Sequence, residues 1–311
     1  MQNEIFEITF DAAKGILTSL VLKNDPERAN FIKTGRGLFE PHGVLWYLRE
    51  NDKFYKTTEP YALESFEENG DSARAVFSRR GVKIYENFVL ENDFLRVQIT
   101  IKNENHYPFY FKKEDCAFYA PFADSYDNSE VCQKVRCHTH IAAFGENSYV
   151  RAERMGVLKY NLGVVLSRGS LCSYSQENCL ESNDRGYFAL NVSPFHLLSG
   201  EKYELEFVIF PHCGGDDFYA QAQKFTPFIR AEAEDGYVIF KGESREFKLI
   251  APKKIDKARI GIGGKNLPFE TKNNVLTTRI PAKKYGEIRL EYEIDGRGGE
   301  AYFYVSPRLE E

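Results

Sequence analysis

Short segments in which hydrophobic and polar residues alternate follow one another along most of the chain. The first two, residues 5–10 and 16–22, are separated by residues 11–15, whose sequence is typical of a hairpin turn. Further segments, such as residues 43–49 and 94–102, recur at a spacing of about ten residues with turn-forming residues between them. Many short strands joined by turns predict an all-β sandwich.

Two stretches depart from this alternation. Residues 103–135 are irregular and rich in Tyr, Phe, Asp and Asn, which predicts a long aromatic loop over the mouth of a cleft. Residues 216–225 have the pattern of a helix, with Asp216 as its cap and Pro227 just past its end. Short strands of a compact sandwich resume after about residue 235. The pattern therefore predicts two domains, residues 1–230 and residues 231–311.

Composition and charge narrow the classes of function. The chain has 311 residues, a formal net charge of -5 and a pI near 5.8, so a general nucleic-acid binder is not expected. No apolar run is long enough to span a membrane and no secretory signal is visible, which predicts a cytoplasmic protein that does not bind membranes. The six cysteines are scattered, and reduced thiols are expected. No metal or cofactor is predicted, because the order C-x4-C-H-x-H at Cys132–His140 is not a usual zinc spacing.

Ionisable residues are dense in one short segment. Arg136, His138 and His140 alternate with Cys137 and Thr139. On a strand they would share one face, with the other two residues on the opposite face. A row of one guanidinium and two imidazoles is a poor core and a reasonable lining for a polar cleft. Surface histidines without a role in chemistry are the alternative interpretation.

Four segments of the chain resemble a group of bacterial glycosidases. They are residues 136–156, 182–186, 193–195 and 210–218. The group comprises six-hairpin enzymes, among them glycoside hydrolase family 154 β-glucuronidases and related proteins. The resemblance covers roughly residues 1–306. It implies a galactose-mutarotase-like β-supersandwich followed by a small immunoglobulin-like β-sandwich, which agrees with the strand pattern.

In such enzymes an α/α barrel follows the β-domains and carries the catalytic acids. The sequence reaches residues 305–311 where that barrel would begin, so no catalytic carboxylate can be assigned from the resemblance, and an α/α-barrel catalytic domain or chain is a predicted partner. By analogy, the expected function is glycan binding without a complete hydrolytic site, with an acidic oligosaccharide such as a uronate as the ligand. The candidate ligand-binding residues are Arg136, His138, His140, Glu146, Arg151, Arg154, Asp184 and Arg185.

Guanidinium groups suit a carboxylate ligand because they bind it through two hydrogen bonds. The alternative for the same residues is an ordinary salt-bridged surface, in which Glu146, Glu153, Glu181 and Asp184 neutralise the arginines.

Two further functions remain open. The first is a stand-alone aldose 1-epimerase, with His138 or His140 as the acid and Glu204 or Glu206 as the base. The second is a β-rich partner of a separately encoded catalytic chain. Exposed sheet edges and an apolar patch would support this role, and bare apolar surface would also favour a homo-oligomer.

Overall fold

A computed structural model describes residues 1–42, 44–50, 53–179 and 181–308, without the side chains of residues 44–50 and 53–58. The chain divides into two compact units. The first contains Met1–Ala143 and Ser148–Phe218, and the second contains Phe144–Asn147 and Tyr219–Glu311. The predicted domain boundary at residues 230/231 lies a little further along the chain. Gly43, the first residue of one predicted strand, and residues 309–311 lie outside the described residues.

The strands of the first unit are β1 (Phe6–Asp11), β2 (Ile16–Leu22), β3 (Pro41–His42), β4 (Val44–Glu50), β5 (Lys53–Glu59), β6 (Ala62–Asn69), β7 (Ser72–Arg79), β8 (Val82–Leu90), β9 (Leu95–Asn103), β10 (Phe109–Phe111), β11 (Ala117–Ala120), β12 (Cys137–Ala142), β13 (Tyr149–Arg154), β14 (Asn161–Arg168), β15 (Leu171–Glu177), β16 (Tyr187–Val192), β17 (Phe195–Leu197) and β18 (Lys202–His212). The helices are α1 (Ser129–Val135) and α2 (Gly215–Phe225), and the division between the units falls within α2.

Two larger sheets form the first unit. The eight-stranded sheet has the order β12-β13-β14-β18-β9-β8-β7-β6, and the four-stranded sheet has the order β15-β16-β11-β3. Two-stranded sheets β1-β2, β4-β5 and β10-β17 accompany them. Strands β8 and β9 alternate strictly between buried residues and partly or fully exposed ones, as expected for strands with one face on a core. Residues of both larger sheets share that core, which defines a sandwich.

The second unit is a smaller sandwich. Its strands are β19 (Arg230–Ala233), β20 (Val238–Phe240), β21 (Ser244–Ile250), β22 (Ala258–Ile262), β23 (Lys265–Asn266), β24 (Phe269–Lys272), β25 (Val275–Pro281), β26 (Gly286–Ile294) and β27 (Arg297–Ser306). They form the sheets β19-β21-β25-β24 and β20-β27-β26-β22-β23, with a core of their own around Phe247 and Phe303. The predicted all-β fold, a larger sandwich followed by a small one, is confirmed.

The stretch predicted as a long aromatic loop contains regular structure. Ala117–Ala120 is β11, and all four of its residues are buried. A strand buried on both faces does not alternate, so periodicity could not identify it. Helix α1 follows, with the side chain of Asn128 as its N-cap, accepting a hydrogen bond of 3.0 Å from Val131 N. No helix in the described part of the chain is long and apolar enough to cross a membrane.

One ion pair of the first unit is fully buried. Arg154 on β13 binds the carboxylate of Asp25, and the two side chains are 1% and 2% exposed. The same guanidinium binds the carbonyl oxygen of Lys134 at the end of α1. Asp25 also accepts a hydrogen bond of 3.2 Å from the backbone N of Ala29. Arg154 therefore joins the loop after β2 and the end of α1 to the eight-stranded sheet.

A carboxyl group also lies in the apolar core. Glu86 on β8 is 0% exposed, and neither of its oxygens has a hydrogen-bond partner among the described residues. Its cross-strand neighbours are Ala75 and Ile99. Burial raises the pKa of Glu86 well above the ordinary carboxyl value, and the negative charge of Glu40 adds to this. The group is held protonated because its charged form would be unsolvated.

We predict that Arg154→Ala lowers the free energy of unfolding by about 3–5 kcal/mol, because it leaves the buried Asp25 charge without a partner. Urea unfolding of the intact chain measures this. The matched control is Arg168→Ala, since Arg168 is 66% exposed and pairs with Glu204 at the surface. The control should lose about 0–1 kcal/mol. An equal loss of unfolding free energy in the two variants would show that the buried pair stabilises the fold no more than the surface pair does.

We predict a pH dependence that originates at Glu86. The unfolded chain releases this proton near the ordinary pKa of about 4.3, whereas the folded chain retains it. The free energy of unfolding therefore falls as the pH rises from that value toward the raised pKa. Glu86→Gln removes this loss, so the variant gains stability relative to the wild type between pH 4 and pH 7. Urea unfolding at both pH values tests this, with Glu67→Gln, exposed on β6, as the control.

Candidate functional site

The segment with the highest density of ionisable residues forms strand β12. Cys137 and Thr139 are buried, while His138 is half-buried and His140 is exposed. The predicted alternation of faces is therefore present in the structure. In the antiparallel register His140 lies opposite Arg151 on β13, and His138 lies opposite Glu153. This part of the sheet brings together the predicted residues His138, His140 and Arg151.

The cations on this strand pair have acidic neighbours. His140 Nε2 lies 3.5 Å from the carboxylate of Glu153, and Arg151 Nη1 lies 3.8 Å from it. The hydrogen bond from His140 lowers the pKa of Glu153. Arg136, just before β12, lies 3.4 Å from Asp127. The positive charge of this surface is thus largely compensated within the protein.

The other predicted residues lie apart from this surface. Arg154 points to the opposite face of the sheet and is buried with Asp25. Glu146 belongs to the second unit, where its carbonyl oxygen accepts a hydrogen bond from Arg297. Asp184 and Arg185 are near each other in the loop after β15. Their predicted role in ligand binding remains a prediction.

Asp184 is held by a dense set of donors. It pairs with Lys33, accepts a hydrogen bond of 3.0 Å from Ser125 Oγ and accepts one of 2.8 Å from Gly186 N. Lys33, followed by the backbone N–H of Gly186, lowers the pKa of Asp184 to about 2. Lys33 also places its ammonium 5.0 Å from the ring centroid of Tyr187. The loop is therefore linked directly to the neighbouring four-stranded sheet.

The side of the four-stranded sheet that faces away from the main core carries a second group of polar and aromatic residues. Phe118 on β11 and Phe188 on β16 point into the core, so Tyr119 and Tyr187 point the other way. We name this surface the Tyr119 face. Its members are Lys33, Arg36, His42, Tyr119, Glu177 and Tyr187. Sequence analysis did not select any of them as a ligand-binding residue.

A hydrogen-bonded set of three side chains occupies one end of the Tyr119 face. His42 Nε2 contacts one carboxylate oxygen of Glu177. The hydroxyl group of Tyr119 donates to the other oxygen over 3.0 Å. Burial, together with the charge of Glu177 and its hydrogen bond, raises the pKa of Tyr119, which keeps the phenol neutral. This set can exchange a proton with a bound molecule through the imidazole or the carboxylate.

Arg36 lies over the rings of the same face. Its guanidinium carbon is 4.3 Å from the ring centroid of Tyr119 and 5.3 Å from that of Tyr187. Its contact with the carboxylate of Glu40 is a single one of 3.4 Å. A stacked guanidinium keeps its hydrogen-bonding edge available and suits a planar anion such as a carboxylate.

Small residues buried beneath this face lie between its larger side chains: Ala117, Ala189 and Asn191 are 4%, 0% and 2% exposed. Asn191 donates hydrogen bonds to Ser173 Oγ and Ser175 Oγ over 3.0 Å and 3.2 Å. The face therefore combines aromatic rings, a stacked guanidinium, an ammonium and a proton-exchanging set. Within the described residues there is no group of three or more His, Cys, Asp or Glu side chains arranged to hold a metal ion.

The acid and base predicted for the epimerase alternative are not neighbours. Glu204 and Glu206 lie on β18, three strands from β12 in the sheet order. At ~4.8 Å per strand, this separates them from His138 and His140 by at least about 14 Å, which is too far for both to act on one sugar ring. Glu206 is moreover bound to Arg96, Gln98 and Ser167.

Comparison with known proteins identifies the fold. A polysaccharide lyase superposes with a TM-score of 0.84 at 23% identity, over 99% of this chain and 47% of the lyase. The chain thus spans about half of the length of that lyase. The galactose mutarotase related enzyme of Lactobacillus acidophilus matches with a TM-score of 0.46 at 12% identity, over 70% of this chain and 98% of that one.

A galactose mutarotase-like protein of Lactobacillus casei matches with a TM-score of 0.45 at 12% identity, over 68% of this chain and 99% of that one. No family model matches the chain, and no curated protein matches it. The likeness to the lyase shows a shared fold, and the resemblance to family 154 glycosidases remains a prediction.

Proposed function

We propose that this chain is the β portion of a carbohydrate-active protein and that its Tyr119 face binds an acidic sugar. The fold is shared with a protein named as a polysaccharide lyase, which supports a role with glycans. The observation that carries the proposal is Arg36 stacked on Tyr119 and Tyr187 beside the His42–Glu177 pair. The half-buried ring of Tyr187 packs against the apolar face of a sugar, while Tyr119 lies buried beneath the guanidinium, which binds the carboxylate of the sugar.

The charges of the face allow this ligand. Lys33 is already paired with Asp184, and the carboxylate of Glu177 is bound to His42 and Tyr119. The single Arg36–Glu40 contact is partly exposed, so it contributes only about 0–1 kcal/mol. A uronate that forms two hydrogen bonds with Arg36 would replace it favourably.

We predict that the chain binds short uronate oligosaccharides more tightly than their neutral counterparts, and that Arg36→Ala weakens uronate binding by about 10- to 100-fold. The same variant should bind the neutral sugar almost as tightly as the wild type does, because that sugar has no carboxylate for Arg36 to bind. Tyr187→Ala should weaken the binding of both ligands. Isothermal titration calorimetry with matched uronate and neutral oligosaccharides measures these changes.

The control is His140→Ala, which removes an exposed residue of the predicted β12 surface and leaves the Tyr119 face intact. It should bind the uronate as the wild type does. Loss of binding in His140→Ala, with full retention in Arg36→Ala, would move the site to β12 and contradict the proposal.

A second candidate function is proton transfer to or from the bound sugar. The observation that favours it is the hydrogen-bonded set of His42, Glu177 and Tyr119. We predict that any anomer interconversion by this chain, followed by polarimetry, is lost in His42→Ala while uronate binding persists. Wild-type chain that binds the sugar without accelerating interconversion would show a binding role alone. Full activity in His42→Ala would exclude this set as the catalyst.

A further inference from the structure

Three large apolar side chains lie together on the outer side of the five-stranded sheet in the second unit, and a fourth exposed one lies just before one of its strands. Val238 and Phe240 project from β20, Tyr304 lies beside Val238 on β27, and Tyr285 precedes β26. They are 52%, 37%, 56% and 58% exposed, in that order. We name Val238, Phe240, Tyr285 and Tyr304 the aromatic patch.

The sandwich does not need these residues for its core. Ile239, Phe303 and Val305, which alternate with them along the same strands, are buried on the inner side. The neighbouring part of the outer side is polar, as expected for a wet sheet face: Arg289 on β26 pairs with Glu291 and Glu300, and Tyr302 donates a hydrogen bond to Glu300. An apolar area confined to one end of a charged sheet face indicates a binding surface.

Two cations border the aromatic patch. The ammonium of Lys241 lies 4.4 Å from the ring centroid of Tyr285, and the guanidinium of Arg308 lies 5.7 Å from that of Phe240. Lys241 is anchored through its backbone N, which donates to Ser306 O over 3.1 Å. Arg308 binds Glu243 at the surface. Exposed aromatic rings with cations beside them match a ligand that offers both apolar sugar faces and negative charges.

We propose that the aromatic patch is a second glycan-binding surface, which holds an extended acidic polysaccharide. The choice of an acidic glycan rests on the function proposed for the Tyr119 face. A second copy of the chain fits less well, because a stable protein interface uses about 20–30 residues on each side. The patch and its two cations comprise six.

The test is affinity electrophoresis of the full chain through gels that contain polygalacturonate, alginate or heparan sulfate, with a neutral glucan gel for comparison. The double variant Tyr285→Ala/Tyr304→Ala removes both tyrosine rings of the patch. The matched control is Phe269→Ala, because Phe269 is similarly exposed, at 39%, but lies on β24 in the other sheet of the same unit. Circular dichroism and thermal unfolding confirm that each variant is folded.

We expect at least one polyanion to retard the wild type and the control, and the double variant to be retained about five- to tenfold more weakly. Lys241→Ala should weaken retention by the acidic polymers and leave retention in the neutral gel unchanged. Equal retention of the double variant and the control would overturn the proposal, as would no retardation of the wild type by any polymer. A wild-type dimer in sedimentation that the double variant loses would identify a protein interface instead.

The two proposals fail in different ways. Arg36→Ala should weaken calorimetric binding of short uronates by about 10- to 100-fold and leave gel retention by the aromatic patch measurable. If Arg36→Ala binds uronates as the wild type does while the double variant loses retention, the proposal for the Tyr119 face is wrong and the proposal for the aromatic patch is supported. If the double variant keeps its gel retention while Arg36→Ala weakens uronate binding, the proposal for the aromatic patch is wrong and the proposal for the Tyr119 face is supported.

Discussion

The burial of one side of the sheet β15-β16-β11-β3 against the main core is the constraint on which the candidate site depends. Phe118 is 0% exposed and Phe188 is 3% exposed, and both belong to the large core cluster. Burial of one such side chain stabilises the fold by about 1.5–3 kcal/mol. Because side chains alternate along a strand, the same burial fixes Tyr119 and Tyr187 on the other side. A register slip of one residue would place the tyrosines in the core and expose the phenylalanines.

The ionisable side chains of the first unit are stabilised in different ways, according to how deeply they are buried. Buried Arg154 has a buried carboxylate partner, whereas buried Glu86 has no hydrogen-bond partner among the described residues and stays protonated. The partly exposed Lys33 and Arg36 have acidic neighbours that a ligand could replace or join. A folded chain can keep all three arrangements because the cost of an unpaired charge rises steeply with burial and is small near water. Only the shallow pairs are therefore suited to ligand binding.

The all-β fold and the local geometry of several elements could be predicted from the sequence. Alternation predicted the strands, and the composition of residues 216–225 predicted the helix that the structure has as α2. The faces of β12 followed from its spacing alone. Strand β11 was missed because Ala117–Ala120 is buried throughout, which leaves no period to detect. Helix α1 is only seven residues long, and its cap, Asn128, is equally common in loops.

The candidate site could not be predicted because its contacts join distant parts of the chain. His42 and Glu177 are 135 residues apart, and Lys33 and Asp184 are 151 residues apart. Such contacts depend on the order and register of strands, which local patterns do not contain. One signal was available: Tyr187, Ala189 and Asn191 alternate with Phe188, Leu190 and Val192 along β16, which predicts that the two sets lie on opposite sides of the sheet.

The most direct test of the Tyr119 face is a titration of the isotope-labelled chain with a uronate oligosaccharide, followed by nuclear magnetic resonance. The account predicts that the signals of Arg36, Tyr119, Glu177 and Tyr187 shift together with one dissociation constant, while those of His138 and His140 on β12 stay unchanged. Shifts confined to the β12 residues, with none on the four-stranded sheet, would contradict it.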